Sequence, residues 1–227
     1  MATDYKYSPA LQHRQRMKID EMFSQVFGYP WIFSPIIVER VGEDNREKPN
    51  ENVRKLFIGR DILDIGSGDG YLEQRLLEYS PESIVAIDID VDMMNKAKQG
   101  IETLKKWGRY GEVNVELIRD DVKGVHFEDG RFDYVFVLST LGELIGKDGK
   151  RDAQEELHRV LERVRRLIKD HGLLFLEYEE DTTPDAKDVE GWVKGNFRNY
   201  DKYSSSIGPG YPTIIGKIPY SLLICTK

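Results

Sequence analysis

The residues of this chain best placed to do chemistry stand together in Asp64-Ile65-Gly66-Ser67-Gly68-Asp69-Gly70-Tyr71-Leu72. Here alternating glycines follow an apolar run and precede a helical pattern with Leu72 and Leu76 on one face. Glycine lets the backbone turn sharply and approach a ligand closely, and the start of the next helix offers N–H groups that have no partner inside it. Three alternating glycines also make an ordinary tight strand-to-helix turn, so the motif takes its meaning from its neighbours. The second apolar run closes on Ile87-Asp88-Ile89-Asp90, with Asp88 twenty-two residues beyond Gly66. That is close to where nucleoside-binding α/β folds place a carboxylate that accepts from both ribose hydroxyls. Asp90 and Asp92 read more simply as solvated acids at a strand end.

The elements that must position these residues follow a regular order. From Asp61 onward short apolar runs alternate with amphipathic helical patterns, the mark of βα units on a parallel sheet. Strands are expected at 62–65, 83–87, 113–118, 134–138 and 173–177. The clearest helix is expected over about 151–170, where Ala153, Leu157, Val160, Leu161, Val164, Leu167 and Ile168 keep three- and four-residue spacing and Gly172 stands just past the end. A further helix is expected near 185–198. The strand-like runs 203–206 and 220–226 have no helix between them, which predicts an antiparallel hairpin closing the sheet. The first residues differ: a helix over roughly 9–27, aromatics between Met22 and Phe33, then a polar stretch with breakers from Gly42 to Asn50. The expected fold is therefore α/β, a single Rossmann-like, doubly wound, mostly parallel seven-stranded sheet with an antiparallel C-terminal hairpin and an N-terminal helical addition. The expected division is a helical or lid segment at 1–54 and the main domain at 55–227.

Bulk properties bound the answer. A chain of 227 residues, 40% hydrophobic, is long enough to bury one sizeable core. The net charge of −7 disfavours duplex nucleic acid as a partner. The lone Cys225 lies in an apolar run and reads as a small buried hydrophobe, so neither an intrachain disulfide nor a cysteine cluster is available. The four histidines have no metal-ligand spacing, and no metal is expected. The chain has no cationic leader followed by an apolar run and no apolar segment of about 18 residues, which makes the cytoplasm the expected address and leaves no membrane partner.

Taken together, the motifs resemble the class I S-adenosylmethionine-dependent methyltransferases. The first motif of that family reads acidic-x-Gly-x-Gly-x-Gly, matched here by Asp64-Ile65-Gly66-Ser67-Gly68-Asp69-Gly70. The resemblance implies S-adenosylmethionine as cofactor. It further implies that Asp64, Gly66, Ser67, Gly68 and Gly70 form its loop, that Asp88 binds the ribose, and that Ile89 lies beside the adenine. Asp120-Asp121-Val122 resembles the family's loop after the third strand. By that alignment Asp121 accepts from the adenine amino group, with Asp120 as an alternate, and the Val122 N–H meets the ring. Arg131-Phe132-Asp133-Tyr134-Val135 resembles the family's Phe-Asp-x-Val lead-in to the fourth strand, where the aspartate is usually structural. The resemblance covers about residues 55 to 180 and the final hairpin, and leaves out the first 50. Nicotinamide and flavin enzymes are the rival within the fold, but their fingerprint has two residues between the second and third glycines, whereas only Asp69 stands there. Asp64 would also repel a pyrophosphate, while it suits a methionine moiety that carries an ammonium.

The acceptor is less legible because an activated methyl donor needs mainly a well-positioned acceptor and exclusion of water. Cys225 falls in a late strand, which argues against a cysteine nucleophile. The family's Asp/Asn-Pro-Pro-aromatic motif is replaced by Ser139-Thr140-Leu141-Gly142-Glu143-Leu144. Glu143 and Glu177 lie near the carboxyl ends of the fourth and fifth strands and are candidates to orient or deprotonate an acceptor; a solvated or structural acid is the plainer reading of each. A small-molecule acceptor is expected ahead of RNA or protein, and a non-catalytic cofactor-binding regulator is the remaining alternative. The aromatics at 22–33 read either as a lid over the acceptor or as a helix packed on the sheet, and core packing is the favoured reading because aromatics at helical spacing are usually buried; the loop Ile207-Gly208-Pro209-Gly210-Tyr211-Pro212 is the other candidate wall of the acceptor site.

Overall fold

In the computed structural model of the protein, residues 51–106, 112–138, 140–145, 150–179, 186–207 and 218–227 are described. The helix expected at 9–27, the aromatic stretch at 22–33 and the loop at 208–212 lie outside them. In chain order the elements are α1 (Glu51–Phe57), β1 (Asp61–Ile65), α2 (Tyr71–Leu76) with a 3-10 turn at Leu77–Tyr79, β2 (Ser83–Asp88), α3 (Val91–Lys106), β3 (Asn114–Arg119), β4 (Phe132–Val137), α4 (Leu141–Ile145), α5 (Lys150–Leu167), β5 (Ile168–Glu179), α6 (Ala186–Asn196), β6 (Asn199–Ile207) and β7 (Ile218–Thr226). The expected division at 54/55 falls inside α1.

The strands form one seven-stranded sheet in the order β3-β2-β1-β4-β5-β7-β6. The first five strands run parallel, and β7 lies antiparallel between β5 and β6. The expected α/β fold and closing hairpin are thus both present. The chain winds outward from β1 to β3, then returns to place β4 on the other side of β1. A crevice therefore opens beyond the carboxyl ends of β1 and β4, the usual ligand position in such sheets.

Alternation along β1 decides what that crevice contains. Leu63 and Ile65 join the core formed with Leu157, Val160 and Leu161 of α5 and Val189 and Val193 of α6. Ile62 joins the opposite core with Phe57 of α1, Leu72 and Leu76 of α2 and Ile101 and Leu104 of α3. The two-residue period of a strand puts Asp64 on the same face as Ile62, toward α2 and α3. Cys225 is fully buried in the first core, as its apolar run suggests.

Among the boundaries, the join between α5 and β5 departs furthest from expectation. The helix expected to reach residue 170 ends at Leu167, and β5 begins at once with Ile168, which pairs with Phe132. The amphipathic spacing extends to Ile168, but that side chain is buried from the strand instead. Lys169 reaches Asp61 and Asp133 at 2.8 Å each, and the pairing shifts register before Leu173 meets Tyr134. His171 adopts φ 67° in this irregularity. Gly172 is therefore no helix stop: a Cβ there would lie 2.6 Å from Ile168 Cγ2 and 2.8 Å from the Asp133 carbonyl, so close packing requires glycine. Asp133 bears out its structural reading. It accepts from the Asp61 backbone N–H at 3.0 Å, Arg60 Nη1 at 3.1 Å and Lys169 Nζ at 2.8 Å, tying the starts of β1, β4 and β5 together.

Candidate functional site

The glycine loop leaves the carboxyl end of β1 with Gly66, Gly68 and Gly70 all at positive φ, 78°, 56° and 76°. Such angles cost an L-residue about 1–2 kcal/mol. The three glycines serve different ends. A Cβ on Gly66 would stand 2.4 Å from Thr140 Oγ1, and one on Gly70 2.7 Å from Ala97 Cβ, so these two let β4's exit and α3 close on the loop. A Cβ on Gly68 would meet nothing within 4 Å. Its backbone alone faces open space, which is what a ligand-cradling turn needs.

Hydrogen bonds fix the loop to β2. Gly66 N and Ser67 N both donate to the Ile87 carbonyl, at 2.8 and 3.1 Å, and Gly70 N donates to Ser67 O at 3.1 Å. Asp88 closes the arrangement: its Oδ2 accepts from Gly68 N at 2.8 Å and its Oδ1 from Asp90 N at 2.8 Å. Each carboxylate oxygen keeps a second lone pair for a further donor. The Gly68 N–H is thus already used to hold Asp88. Ser67 is largely buried, its hydroxyl 3.7 Å from Met94 Sδ of α3.

Beside Asp88 the surface turns apolar. Ile89 is 67% exposed, with Val91 and Met93 also open to solvent, an unusual placement for large apolar side chains. On the far side of β3, Asp121 Oδ1 accepts from Lys123 N at 2.8 Å and Asp120 Oδ1 from Asp121 N at 2.7 Å, so both acids shape the turn after the strand. Val122 is buried in the α5-side core, leaving its backbone as the part suited to meet a ligand. The parallel order β3-β2-β1 lines up the carboxyl ends that carry Asp121, Asp88 and the glycine loop along one edge.

Beneath the loop lies a feature the sequence reading missed. Asp64 is almost wholly buried, and Glu73 of α2 is entirely so. Burial pushes the Asp64 carboxyl up to about 6; a hydrogen bond with Glu73 works in the opposite direction, and the charge of Asp88 adds to the rise. Burial also drives Glu73 well above the ordinary carboxyl range, reinforced by the charge of Asp64. A glutamate three residues after Gly70 looks in sequence like an exposed first-turn acid. Only its place between Leu72 and Leu76, the residues of the apolar face, hints at burial.

The two catalytic candidates fall differently. Glu177 lies in β5 opposite Leu222 of β7 and is 3% exposed, which removes the solvated reading for it. Glu143 stands in α4, directly after β4, and its side chain is outside the described residues. Thr140, not singled out from the sequence, is buried against Gly66 at the mouth of the crevice.

Comparison with known proteins agrees with this geometry. Residues 62–164 match the model of a methyltransferase domain family. The chain is 28% identical over 146 residues to a protein of Aspergillus luteorubrus named probable methyltransferase ltbC, covering 60% of this chain and 47% of that one. It is 27% identical over 153 residues to a malonyl-[acyl-carrier protein] O-methyltransferase of Nitrosospira multiformis, covering 63% of this chain and 44% of that one. The chain thus spans less than half the length of either curated relative. In fold it is similar to the crystal structure of a SAM-dependent methyltransferase from Methanosarcina mazei, with a TM-score of 0.55 at 16% identity, covering 86% of this chain and 98% of that one. The domain match spans β1 to α5 and takes in the glycine loop, Asp88 and Asp121, in register on one sheet edge, so this part of the chain is similar to a methyltransferase domain.

Proposed function

We propose that the chain transfers the methyl group of S-adenosylmethionine to a small-molecule acceptor. The observation that carries this reading is the Gly68 turn, open on its ligand side and locked to Asp88 at the point where the sheet order reverses. The residues fit the cofactor part by part. Asp64 with the loop Gly66, Ser67, Gly68 and Gly70 suits the cationic methionine end, and the free lone pairs of Asp88 suit a cis-diol. Exposed Ile89 suits one face of the adenine, with Asp121 and the Val122 N–H at its edge. The cofactor supplies an already activated methyl group on its sulfonium. The chain's own residues then have to hold the ligand, orient the acceptor and exclude water. Glu143 and Glu177 are the proposed acids on the acceptor side, and residues 1–54 the proposed segment that completes it.

The small-molecule preference rests on charge. Asp69, Asp88, Asp90, Asp92, Asp120 and Asp121 all follow or end the strands that form the cofactor edge, on a chain of net charge −7. Such a rim repels a polyanion. No helix among the described residues is long and apolar enough to cross a membrane. We further propose the cytoplasm as the site of action.

Thermal unfolding tests the cofactor step. Ligand at about 100 times its dissociation constant adds roughly 2.7 kcal/mol, which for a chain of this size raises Tm by about 5–10 °C. Both S-adenosylmethionine and its demethylated product are expected to give the shift, and no shift with either at millimolar concentration would sink the reading. A screen of cell extract with labelled methyl donor then identifies the acceptor.

A further inference from the structure

Glu73 is fully buried, and neither of its carboxyl oxygens receives a hydrogen bond from another residue's N–H or O–H. The side chain that bears on it at hydrogen-bond range is another carboxyl, that of Asp64 on β1, while its own backbone N–H contributes less, toward the charged form. Gly70 and Ala97 close the remaining side: a Cβ built on Gly70 would stand 3.6 Å from Glu73 Oε2 and 2.7 Å from Ala97 Cβ. Two ionised carboxylates offer each other acceptors only, and an unpaired charge buried this way is among the costliest arrangements a fold can hold. One proton resolves it, because a protonated carboxyl becomes a donor while its neighbour accepts. The charged groups acting most strongly on the pair are Asp69, facing Glu73 from the loop, and Asp88, facing Asp64 from β2. Both are acids, so the proton is the counter-ion at hand. The two carboxyls divide it unequally. Burial bears on both, but the hydrogen bond with Glu73 favours the charged form of Asp64, whereas the one with Asp64 favours the neutral form of Glu73.

We propose that Glu73 is a positioning residue of the cofactor site: a buried carboxylic acid that keeps its proton at neutral pH, donates it to Asp64, and so holds that residue's single negative charge toward a cationic ligand group. The part that concerns a ligand rests on the S-adenosylmethionine reading; the shared proton does not. Glu73 touches no solvent and hence acts through Asp64. It differs in this from Asp88, whose carboxylate lies at the rim.

Infrared difference spectroscopy on the unliganded full chain reads the proton directly. Near neutral pH, where exposed carboxyls are ionised, wild type is expected to show the carbonyl band of one protonated carboxylic acid that is missing from Glu73→Gln. Absence of that band, or its persistence in Glu73→Gln, overturns the proposal. Calorimetric titration with S-adenosylmethionine reads the positioning. Glutamine copies the shape and the donor of a neutral glutamic acid, so Glu73→Gln should bind within about threefold of wild type, whereas Glu73→Ala, lacking the donor, should bind roughly tenfold or more weakly. If Glu73→Ala does not fold, the infrared band and the Glu73→Gln affinity still decide. A tenfold loss in Glu73→Gln would mean that an ionised Glu73 is required, contrary to the proposal. Wild type that shows the band yet binds neither S-adenosylmethionine nor its demethylated product would overturn the cofactor reading, and the positioning role with it, while leaving the shared proton established.

Discussion

Asp88 does two jobs with one carboxylate. It already accepts from Gly68 N and Asp90 N, which makes it part of the loop's framework before any ligand arrives. Asp88→Ala is therefore expected to weaken S-adenosylmethionine binding by about 1.5–3 kcal/mol, roughly ten- to a hundred-fold. Because the loop loses two anchors as well, Tm of the unliganded protein should also fall. Asp92→Ala, at an exposed acid in the first turn of α3, should change neither. Calorimetry that reversed the order of the two variants would mean the cofactor has been misplaced. Asp88 was legible because its spacing from Gly66 is fixed by the length of one βα unit. Gly66 and Gly70 were legible as glycines, but not as contacts with Thr140 and Ala97, which come from distant positions. Glu73 was not legible, since its burial depends on Asp64 and Ala97 approaching from two other elements.

The elements are held in register by a charge cluster at the opposite end of β1. Asp133 accepts from Asp61 N, Arg60 and Lys169, and these bonds hold its carboxyl below the ordinary range although burial works the other way. A depressed carboxyl contributes stability that is present above its unfolded value of 3.8 and is lost as pH falls through the lower folded value. Asp133→Asn is accordingly expected to cost about 1–2 kcal/mol at neutral pH, a figure trimmed because Arg60 and Lys169 are partly exposed. The gap between variant and wild type should close below about pH 4. Urea midpoints at pH 7 and pH 3 check both halves, and a gap that widened in acid would refute the sign. At this scale most strand positions were legible from short apolar runs, with boundaries one or two residues off except at the starts of β5 and β6, which lie five and four residues earlier than expected. The join between α5 and β5 was not. Ile168 keeps the helical period, and nothing local tells that its partner is Phe132, some 36 residues earlier.

For the molecule as a whole, the order of βα units was sufficient to predict the sheet, because each parallel crossover has one strongly preferred hand. The acceptor side was not predictable in the same way, since it depends on segments that the shared core does not specify. Helices from Glu51 onward pack against both faces of the sheet, with Phe57 of α1 fully buried and the Tyr134 hydroxyl donating to the Leu56 carbonyl at 2.8 Å. Two roles are proposed for the segment before α1, a lid over the acceptor and packing on the core, and one deletion separates them. Deleting residues 1–50 should leave S-adenosylmethionine affinity within a few-fold, while transfer to the acceptor found by the labelling screen falls steeply as positioning and water exclusion are lost. Should the truncated chain aggregate or lose its cooperative melt, apolar surface has been uncovered and the segment belongs to the core. A soluble truncate that kept both cofactor affinity and full transfer would exclude both roles, and the acceptor wall would then have to be sought in the stretch from Gly208 to Pro212.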